Sequence, residues 1–324
     1  MNYYLGIDGG GTKTECLLVD ETGRVVAHVL TDGCSYKEIG VSDAVKKIMY
    51  IISRCIDADN EVSVDKIRGM AIGLPCYGES PKSDVLLWEG LKTGLGSIPF
   101  YLANDVEVGW AGSLALKPGI NIVAGTGSIA FGKSRENVSA RSGGWSTFFG
   151  DEGSCYWLGR RTMELFTKQA DGRVKEGELY HILKDELKIR DIQDFIERME
   201  TEYAPNRSKV ASLQRILFSA AKAGDASAIK LYQEAADELF MLVYSLACRL
   251  NFIGNEFIVS YSGGLFHASE FVIPYLKDKV EAIGGKLVKP IFTPVQGAVL
   301  LAIHMFSELL SDRDVTQFKF INKE

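Results

Sequence analysis

Apolar residues alternate with polar ones in short runs near the start of the chain and recur at helical spacing further on. The apolar runs 3–8 and 16–19 flank a knot of glycines, a pattern that predicts a β-hairpin. The positions that follow predict, in order, a third antiparallel strand over 24–30, a helix over 41–58, a strand over 66–74, a loop with a helical turn, a strand over 98–103 and a helix over 106–115. Mixed alternation of strands and helices predicts an α/β layer.

The same order of elements restarts after a break at Pro118-Gly119. An apolar run over 120–124, a Gly/Thr turn and a second apolar run over 129–132 repeat the opening architecture. We therefore expect two related halves that each place a Gly/Thr turn at a shared cleft. The predicted domains are residues 1–117 and residues 118–294, the second with a mostly helical insertion between 156 and 251.

Composition and charge narrow the class of protein. The chain has 324 residues, of which 46% are hydrophobic and 24% charged, and its net charge of −6 with dispersed Lys and Arg predicts no nucleic-acid surface. No stretch has the length of a membrane helix and the N-terminus lacks a signal-peptide pattern, so we expect a cytoplasmic protein. The 6 cysteines form no Cys-x-x-Cys pair and suit neither zinc nor an iron–sulfur cluster within one chain.

The opening turn carries the first candidate chemistry. Gly9–Gly11 permit close backbone approach, so their N–H groups can wrap an anion. Thr12 and Thr14 add hydroxyl donors, Lys13 adds a cation, and Asp8 is placed to hold a divalent metal through water. The pattern fits a phosphate-and-magnesium cradle, and it fits an ordinary Gly-rich hairpin as well.

One motif matches the P-loop in residue pattern only. Gly127 is followed after four residues by Gly132-Lys133-Ser134, but a P-loop needs a helix that starts at its lysine. The residues 128–131 instead predict a strand, and the stretch 135–144 is polar and rich in Gly and Ser. We reject the P-loop interpretation.

Several other polar or glycine-rich segments follow predicted strands. Asn104-Asp105 ends a strand, where the carboxylate can accept a proton from a substrate hydroxyl or cap the next helix. The segments 143–145 and 150–154 can bind a polar ligand or form a surface loop. The segment 262–264 can cradle a nucleotide or merely turn the chain.

Taken in order, these segments resemble the N-acetylglucosamine kinase family. The resemblance rests on Asp8-Gly9-Gly10-Gly11-Thr12, Asn104-Asp105, Gly125-Thr126-Gly127-Ser128, Gly143-Gly144-Trp145, Gly150-Asp151-Glu152-Gly153-Ser154 and Ser262-Gly263-Gly264, and it extends to Pro294-Val295-Gln296-Gly297-Ala298. That family belongs with the ATPase components of benzoyl-CoA reductase, in the sugar kinase/actin/heat-shock-chaperone superfamily.

The resemblance implies an α/β fold of two ribonuclease-H-like (actin-like ATPase) domains, with mixed sheets flanked by helices. It further implies ATP and Mg²⁺ in a cleft between them and a terminal helix over 295–310 that packs on the first domain. The implied activity is transfer of phosphate from ATP to an amino sugar, most simply N-acetylglucosamine to its 6-phosphate, by a homodimer. By motif position, the catalytic base would be Asp105 and the metal-binding residue Asp8. The sugar would contact Ser35, Asn104, Asp105, Gly143, Gly144, Trp145 and Asp151. The nucleotide would contact Gly9, Gly10, Gly11, Thr12, Lys13, Gly125, Thr126, Gly127, Ser128, Ala211, Ser262, Gly263 and Gly264.

The loop 32–40 departs from the family pattern. Family members often carry a sugar-binding Asn there, whereas this loop has none and offers Ser35, Tyr36 or Lys37 instead. The charge of Lys37 favours a substrate with a carboxylate, such as N-acetylmuramic acid. Glucosamine and N-acetylmuramic acid therefore stay open as alternative substrates.

Two further classes of function compete with the kinase. An ATPase that activates a dehydratase or reductase typically carries cysteines for a cluster between two subunits, and the scattered cysteines argue against it. A nucleotide-dependent regulatory module is the third reading. No helix-turn-helix segment precedes the first hairpin, so a sugar-responsive repressor is not expected.

Overall fold

The computed structural model of the chain describes residues 1–310 and 314–321. It divides into two compact units: unit 1 is Met1–Lys117 with Lys289–Glu324, and unit 2 is Pro118–Val288. None of the helices in the described residues has the length and apolar character needed to cross a membrane.

Unit 1 is a mixed sheet with helices on both faces. Its strands are β1 (Tyr3–Gly9), β2 (Lys13–Asp20), β3 (Val25–Asp32), β4 (Ile67–Leu74) and β5 (Phe100–Asn104), in the spatial order β3-β2-β1-β4-β5. The first three pair antiparallel, and β4 and β5 add in parallel. Its helices are α1 (Tyr36–Ile39), α2 (Val41–Ile56), α3 (Pro81–Leu95), α4 (Asp105–Leu114) and, from the end of the chain, α12 (Pro294–Phe306), with 3₁₀ turns at Val64–Lys66 and Val315–Gln317.

Unit 2 repeats that sheet strand for strand. Its strands are β6 (Gly119–Ala124), β7 (Ser128–Lys133), β8 (Ser139–Gly143), β9 (Phe257–Ser262) and β10 (Gly285–Val288), in the order β10-β9-β6-β7-β8. Its helices are α5 (Cys155–Ala170), α6 (Glu178–Leu187), α7 (Ile192–Arg198), α8 (Arg207–Ser212), α9 (Gln214–Lys222), α10 (Ala226–Arg249) and α11 (Ser269–Ala282), with short turns at Met199–Tyr203 and Gly264–Ala268. The predicted restart of the strand pattern is confirmed, as is the predicted α/β class.

Each face of the unit 1 sheet is covered by apolar helix surface. Leu5 and Ile7 of β1 are fully buried in a core shared with α2 and α3. On the opposite face α12 lies against Gly6, where a Cβ would stand 2.4 Å from the backbone nitrogen of Val299. Only a glycine allows this approach of helix to strand. The helix starts with a capping box between Thr293 and Gln296.

The sequence interpretation misses or misplaces several elements. The segment predicted as a loop with a helical turn is the 15-residue helix α3, which Ser80 caps and Pro81 begins, and which buries Leu87, Leu91 and Leu95 at spacings of four. The segment 139–143, assigned to a polar stretch, is strand β8, an edge strand without a buried face. The terminal helix ends at Phe306 rather than at residue 310. The P-loop rejection is confirmed because residues 128–133 form strand β7.

Candidate active site

One edge of the unit 1 sheet gathers its polar loops. Strands β1, β3, β4 and β5 run in the same direction, so their carboxyl ends meet at this edge. The chain therefore brings together the opening turn, the loop after β3, the loop after β4 and the segment after β5. Ligand chemistry in open α/β sheets is placed at such an edge.

The opening turn is held by the loop after β3. The N–H of Gly33 donates to the carbonyl of Thr12 at 3.0 Å, and the N–H of Cys34 donates to the carbonyl of Gly10 at 3.0 Å. A Cβ on Gly33 would stand 1.9 Å from the carbonyl oxygen of Gly11, so the two loops touch backbone to backbone. These bonds fix the turn's shape before any ligand arrives.

Lys13, predicted to contact the nucleotide, is 62% exposed, and its ammonium is paired with the Glu15 carboxylate at 2.5 Å.

Two partly buried carboxylates lie at this edge. Burial is the main reason that the pKa of Asp8 rises to about 7, and the negative charges of Asp105 and Glu15 raise it further. Burial likewise raises the pKa of Asp105 to about 6. The negative charge of Glu79 raises this pKa further, and hydrogen bonds from backbone N–H groups lower it. A carboxyl group with a pKa near 6 has the proton affinity of a general base that works near neutral pH.

Asn104 supplies the helix cap, which leaves Asp105 free of that task. The Asn104 side-chain oxygen accepts from the N–H of Val106 at 3.1 Å, and its amide donates to the carbonyl of Tyr77 at 2.7 Å. Asp105 is the first residue of α4. The sequence left open whether Asp105 is a cap or a base; Asn104 makes the cap, and the base role of Asp105 stays a prediction.

The loop after β4 connects the sugar loop predicted at 32–40 with the segment at Asp105. The Tyr36 hydroxyl donates to the carbonyl of Cys76 at 3.1 Å, and the Lys37 ammonium bonds Glu79 at 2.5 Å. Ser35 is buried and accepts two backbone bonds through its carbonyl. Lys37 is 52% exposed and already paired with Glu79, so a substrate carboxylate would have to share that cation, and the preference for such a substrate stays a prediction.

The edge of the unit 2 sheet repeats the arrangement with different side chains. The turn between β6 and β7 is closed by a bond from the N–H of Gly125 to the carbonyl of Gly127 at 2.9 Å. The first N–H groups of α5 donate to the turn, from Cys155 to Gly125 at 2.9 Å and from Tyr156 to Thr126 at 3.3 Å. The Ser128 hydroxyl donates to the Glu152 carbonyl at 2.6 Å. The turn is thus rigid.

Asp151 braces this turn. Its carboxylate accepts from the N–H of Ser128 at 3.2 Å and from Arg207 at 2.7 Å, while the side chain is only 4% exposed. Both groups lie against Gly127, where a Cβ would approach the Arg207 guanidinium to 2.6 Å. The predicted sugar contact of Asp151 stays a prediction, since a sugar hydroxyl would have to share these partners. Arg207 was not identified from the sequence because it lies 56 residues from Asp151.

A pocket of about 430 Å³ opens beside the turn in unit 2. It brings together Gly125, Thr126, Ala211 and Gly264, which the resemblance assigned to the nucleotide from three separate segments. The sequence analysis did not identify the other side chains of its lining, which are Cys155, Ser208, Ser212, Gln214, Arg215, Phe218, His267 and Ala268. The size suits a nucleoside, and the Gly125-Thr126 end presents the turn's backbone.

The remaining predicted residues lie at the same edge of unit 2. Gly263 (φ +106°) presses against Ala124, where a Cβ would stand 2.4 Å from the carbonyl oxygen. Gly144 donates its N–H to the carbonyl of Ser128 at 2.9 Å, next to Gly143 at the end of β8. Trp145 is 67% exposed, with the Arg141 guanidinium 5.5 Å from its ring centroid. Its surface is open to a ligand.

Asp8 fits a Mg²⁺ ion that arrives with a nucleotide. Within residues 1–310 and 314–321, no group of three or more His, Cys, Asp or Glu side chains is arranged to hold a metal by itself. Mg²⁺ bound with phosphates takes only one or two carboxylates from the protein. The raised pKa of Asp8 marks a carboxylate whose charge lacks compensation, and a cation would supply it.

We predict that Asp8→Asn stabilises the metal-free protein. Because the pKa of Asp8 is about 7 when folded and about 3.8 when unfolded, ionisation of Asp8 opposes folding increasingly between pH 4 and 7 and fully above pH 7. The gain in unfolding free energy should be about 2 kcal/mol at pH 8 and vanish near pH 4. Denaturant titration in EDTA measures it.

Asp20→Asn is the matched control for that prediction. Burial alone would raise the pKa of Asp20, but bonds from Thr22 and Arg24 outweigh it and lower that pKa. Asp20→Asn should therefore destabilise the protein at pH 8. If the Asp8→Asn protein were less stable than the wild type at pH 8, the inference that the charge of Asp8 is uncompensated would be wrong.

Comparisons with known proteins agree with the motif order. The N-acetylmuramic acid/N-acetylglucosamine kinase of Clostridium acetobutylicum is 30% identical over 281 residues, which are 86% of this chain and 89% of that protein. The N-acetyl-D-glucosamine kinase of Dictyostelium discoideum is 28% identical over 317 residues, 93% of this chain and 98% of that protein.

Solved structures share the fold. A candidate N-acetylglucosamine kinase from Chromobacterium violaceum superposes with a TM-score of 0.74 at 23% identity, over 93% of this chain and 99% of that one. A ROK family glucokinase from Streptomyces griseus superposes with a TM-score of 0.60 at 16% identity, over 94% of this chain and 100% of that one. The predicted two-domain actin-like fold is confirmed.

A family model extends the agreement along most of the chain. The model described as the BadF/BadG/BcrA/BcrD ATPase family matches residues 5–302. The resemblance stated from the ordered motifs is confirmed, and with it the use of ATP. The chain belongs to the BadF/BadG/BcrA/BcrD ATPase family.

Proposed function

We propose that this protein transfers the γ-phosphoryl group of ATP to the 6-hydroxyl of N-acetylglucosamine. The observation that carries the proposal is Asp105: a carboxylate at the ligand edge of unit 1, relieved of helix capping by Asn104, with a pKa of about 6. Two relatives that align over most of this chain are named as kinases of N-acetylated amino sugars.

In the proposed reaction Asp105 positions the sugar hydroxyl and takes its proton. The hydroxyl oxygen then forms a bond to the γ-phosphorus as the bond from phosphorus to the β–γ bridging oxygen breaks, and ADP leaves. Phosphoryl transfer depends mainly on alignment and on neutralising negative charge, so one oriented carboxylate and a set of fixed donors suffice.

The two glycine turns would supply the donors. Gly9–Thr12 in unit 1 and Gly125–Ser128 in unit 2 would direct backbone N–H and hydroxyl groups at the phosphates. Mg²⁺ bound with ATP would neutralise phosphate charge, and Asp8 would hold it through water. The adenosine would occupy the pocket beside Ala211.

The proposed sugar contacts are those that the motif order assigns. They are Ser35, Asn104, Asp105, Gly143, Gly144, Trp145 and Asp151. Glucosamine and N-acetylmuramic acid are the alternative substrates. The cytoplasmic location and the homodimer stay predictions.

Activation of a dehydratase or reductase is the alternative activity. It would need cysteines that reach a cluster shared with a second subunit, whereas Cys16, Cys34, Cys55 and Cys155 are buried in their units. An anaerobic absorption spectrum with cluster bands would favour that activity over the kinase.

A sugar panel tests the proposed function. With ATP and Mg²⁺, coupled detection of ADP release should show stimulation by N-acetylglucosamine well above that by glucose, with glucosamine and N-acetylmuramic acid as the other test sugars. A reaction without sugar sets the baseline. If no hexosamine raises ADP release above that baseline, the kinase assignment is wrong.

Asp105→Asn should lower kcat by about 10²- to 10⁴-fold and leave ATP affinity within about threefold, because the general base is lost while the phosphate turns remain. In the wild type, kcat/KM should fall as pH drops through about 6, where Asp105 becomes protonated. Steady-state rates and calorimetric ATP titration measure both. Asp65→Asn, a surface carboxylate of unit 1, is the matched control. Near-normal turnover by Asp105→Asn would disprove the base assignment.

A further inference from the structure

One side of the pocket beside the unit 2 turn is built from a single helical face. Ala211 near the end of α8, Gln214 at the start of α9 and Phe218 one turn further along all line the pocket. Leu213, which joins the two helices, has helical dihedrals (φ −62°, ψ −21°). The spacings of three and four residues therefore place these side chains on the same face, with the polar Gln214 between two apolar neighbours.

Tyr232 of α10 fixes the orientation of the Gln214 amide. Tyr232 is fully buried, its ring stacks on Phe271 with 5.6 Å between the ring centroids, and burial raises the pKa of its hydroxyl, which keeps its proton. The hydroxyl donates that proton to the backbone carbonyl of Gln214 at 3.1 Å, so from the side-chain amide it can only accept. The amide nitrogen of Gln214 donates to it at 2.6 Å. The nitrogen end of the amide is therefore held at Tyr232, and the oxygen end is turned away from it.

An amide fixed in this way distinguishes ligands by their donors. Gln214 is 7% exposed at the pocket, and with its nitrogen end held it offers its oxygen as a hydrogen-bond acceptor. Adenine carries an amino group at position 6, which donates to such an oxygen. A 6-oxo purine carries a carbonyl oxygen at the same position, and two acceptors that face each other in a buried site leave both unpaired.

We propose that Gln214, held by Tyr232, accepts a hydrogen bond from the 6-amino group of adenine and makes this pocket select ATP over 6-oxo purine nucleotides. The inference rests on the proposed placement of adenosine in this pocket and deepens it. A base packed against Ala211 and Phe218 would have its edge at Gln214, because that residue lies between them. A site that bonds one group of its ligand discriminates strongly against an analogue without that group. Tyr232 is a positioning residue, since it acts through Gln214.

Calorimetric titration of the whole protein with ATP or ITP in the presence of Mg²⁺ measures this preference without a sugar. ITP has the ribose and the phosphates of ATP and a carbonyl at position 6. The wild type should bind ATP at least about tenfold more tightly than ITP. Gln214→Leu should bring the two dissociation constants to within about threefold of each other, mainly by weakening the binding of ATP.

Tyr232→Phe tests the orientation of the amide, because it removes the hydroxyl and keeps the ring. The released amide can turn its nitrogen toward the carbonyl of ITP, so ITP should bind about three- to tenfold more tightly than it does to the wild type. A merely structural loosening would weaken both nucleotides. In a Gln214→Leu background, Tyr232→Phe should leave the ratio of dissociation constants unchanged.

Tyr244→Phe is the matched control for the loss of a tyrosine hydroxyl. Tyr244 is an exposed residue further along α10, and its substitution should leave the ratio of the ATP and ITP dissociation constants unchanged. Thermal melts establish that each variant is folded.

Further outcomes separate the base from the ribose and the inference from the function beneath it. If the wild type binds ATP and ITP equally, or if Gln214→Leu changes the ratio of ATP to 2′-deoxy-ATP and not that of ATP to ITP, Gln214 does not recognise the base. The inference is then overturned while the kinase function stands. If the wild type prefers ATP through Gln214 but no hexosamine stimulates ADP release, the inference holds and the proposed sugar kinase fails.

Discussion

The candidate site depends on two carboxylates, Asp8 and Asp105, at the carboxyl end of the unit 1 sheet. The fold holds them there although burial disfavours their negative charge. Asp8 lies near the end of β1 and Asp105 follows β5, and β4 lies between these two strands. Burial and neighbouring negative charge raise the pKa of each acid. Nothing in folding favours this arrangement, because buried like charges cost stability. Such strain is typical of functional sites, where a ligand supplies the missing compensation.

The surrounding backbone holds these acids in place. The Gly33–Gly11 contact fixes the opening turn that follows Asp8, and Asn104 caps α4 immediately before Asp105. Unit 2 repeats the sheet but equips its edge differently: its turn is braced by Asp151 and Arg207 and opens onto a nucleoside-sized pocket. In the proposed function one topology would serve two tasks, proton transfer in unit 1 and nucleotide binding in unit 2.

Local patterns predicted most of the fold, and distant pairings explain what they missed. The hairpins and the mostly helical stretch between 156 and 251 follow from period and turn chemistry, and the missed helix α3 had a readable signal in Ser80-Pro81 with leucines spaced by four. The edge strand β8 had none, since it buries no face. In the site, the place of Asp105 after a strand left cap and base open, and its assignment as the base rests on the resemblance. The neutralisation of Lys37 by Glu79, 42 residues away, and the bracing of Asp151 by Arg207 required the tertiary structure.

The identity of the product tests the central claim most directly. The purified protein is incubated with ATP, Mg²⁺ and N-acetylglucosamine, and the product is examined by two-dimensional ¹H–³¹P NMR. A kinase with Asp105 aimed at the primary hydroxyl gives a phosphorus correlated with the sugar protons on carbon 6. Inorganic phosphate as the sole phosphorus product beside ADP, or a correlation with the proton on carbon 1, would contradict it.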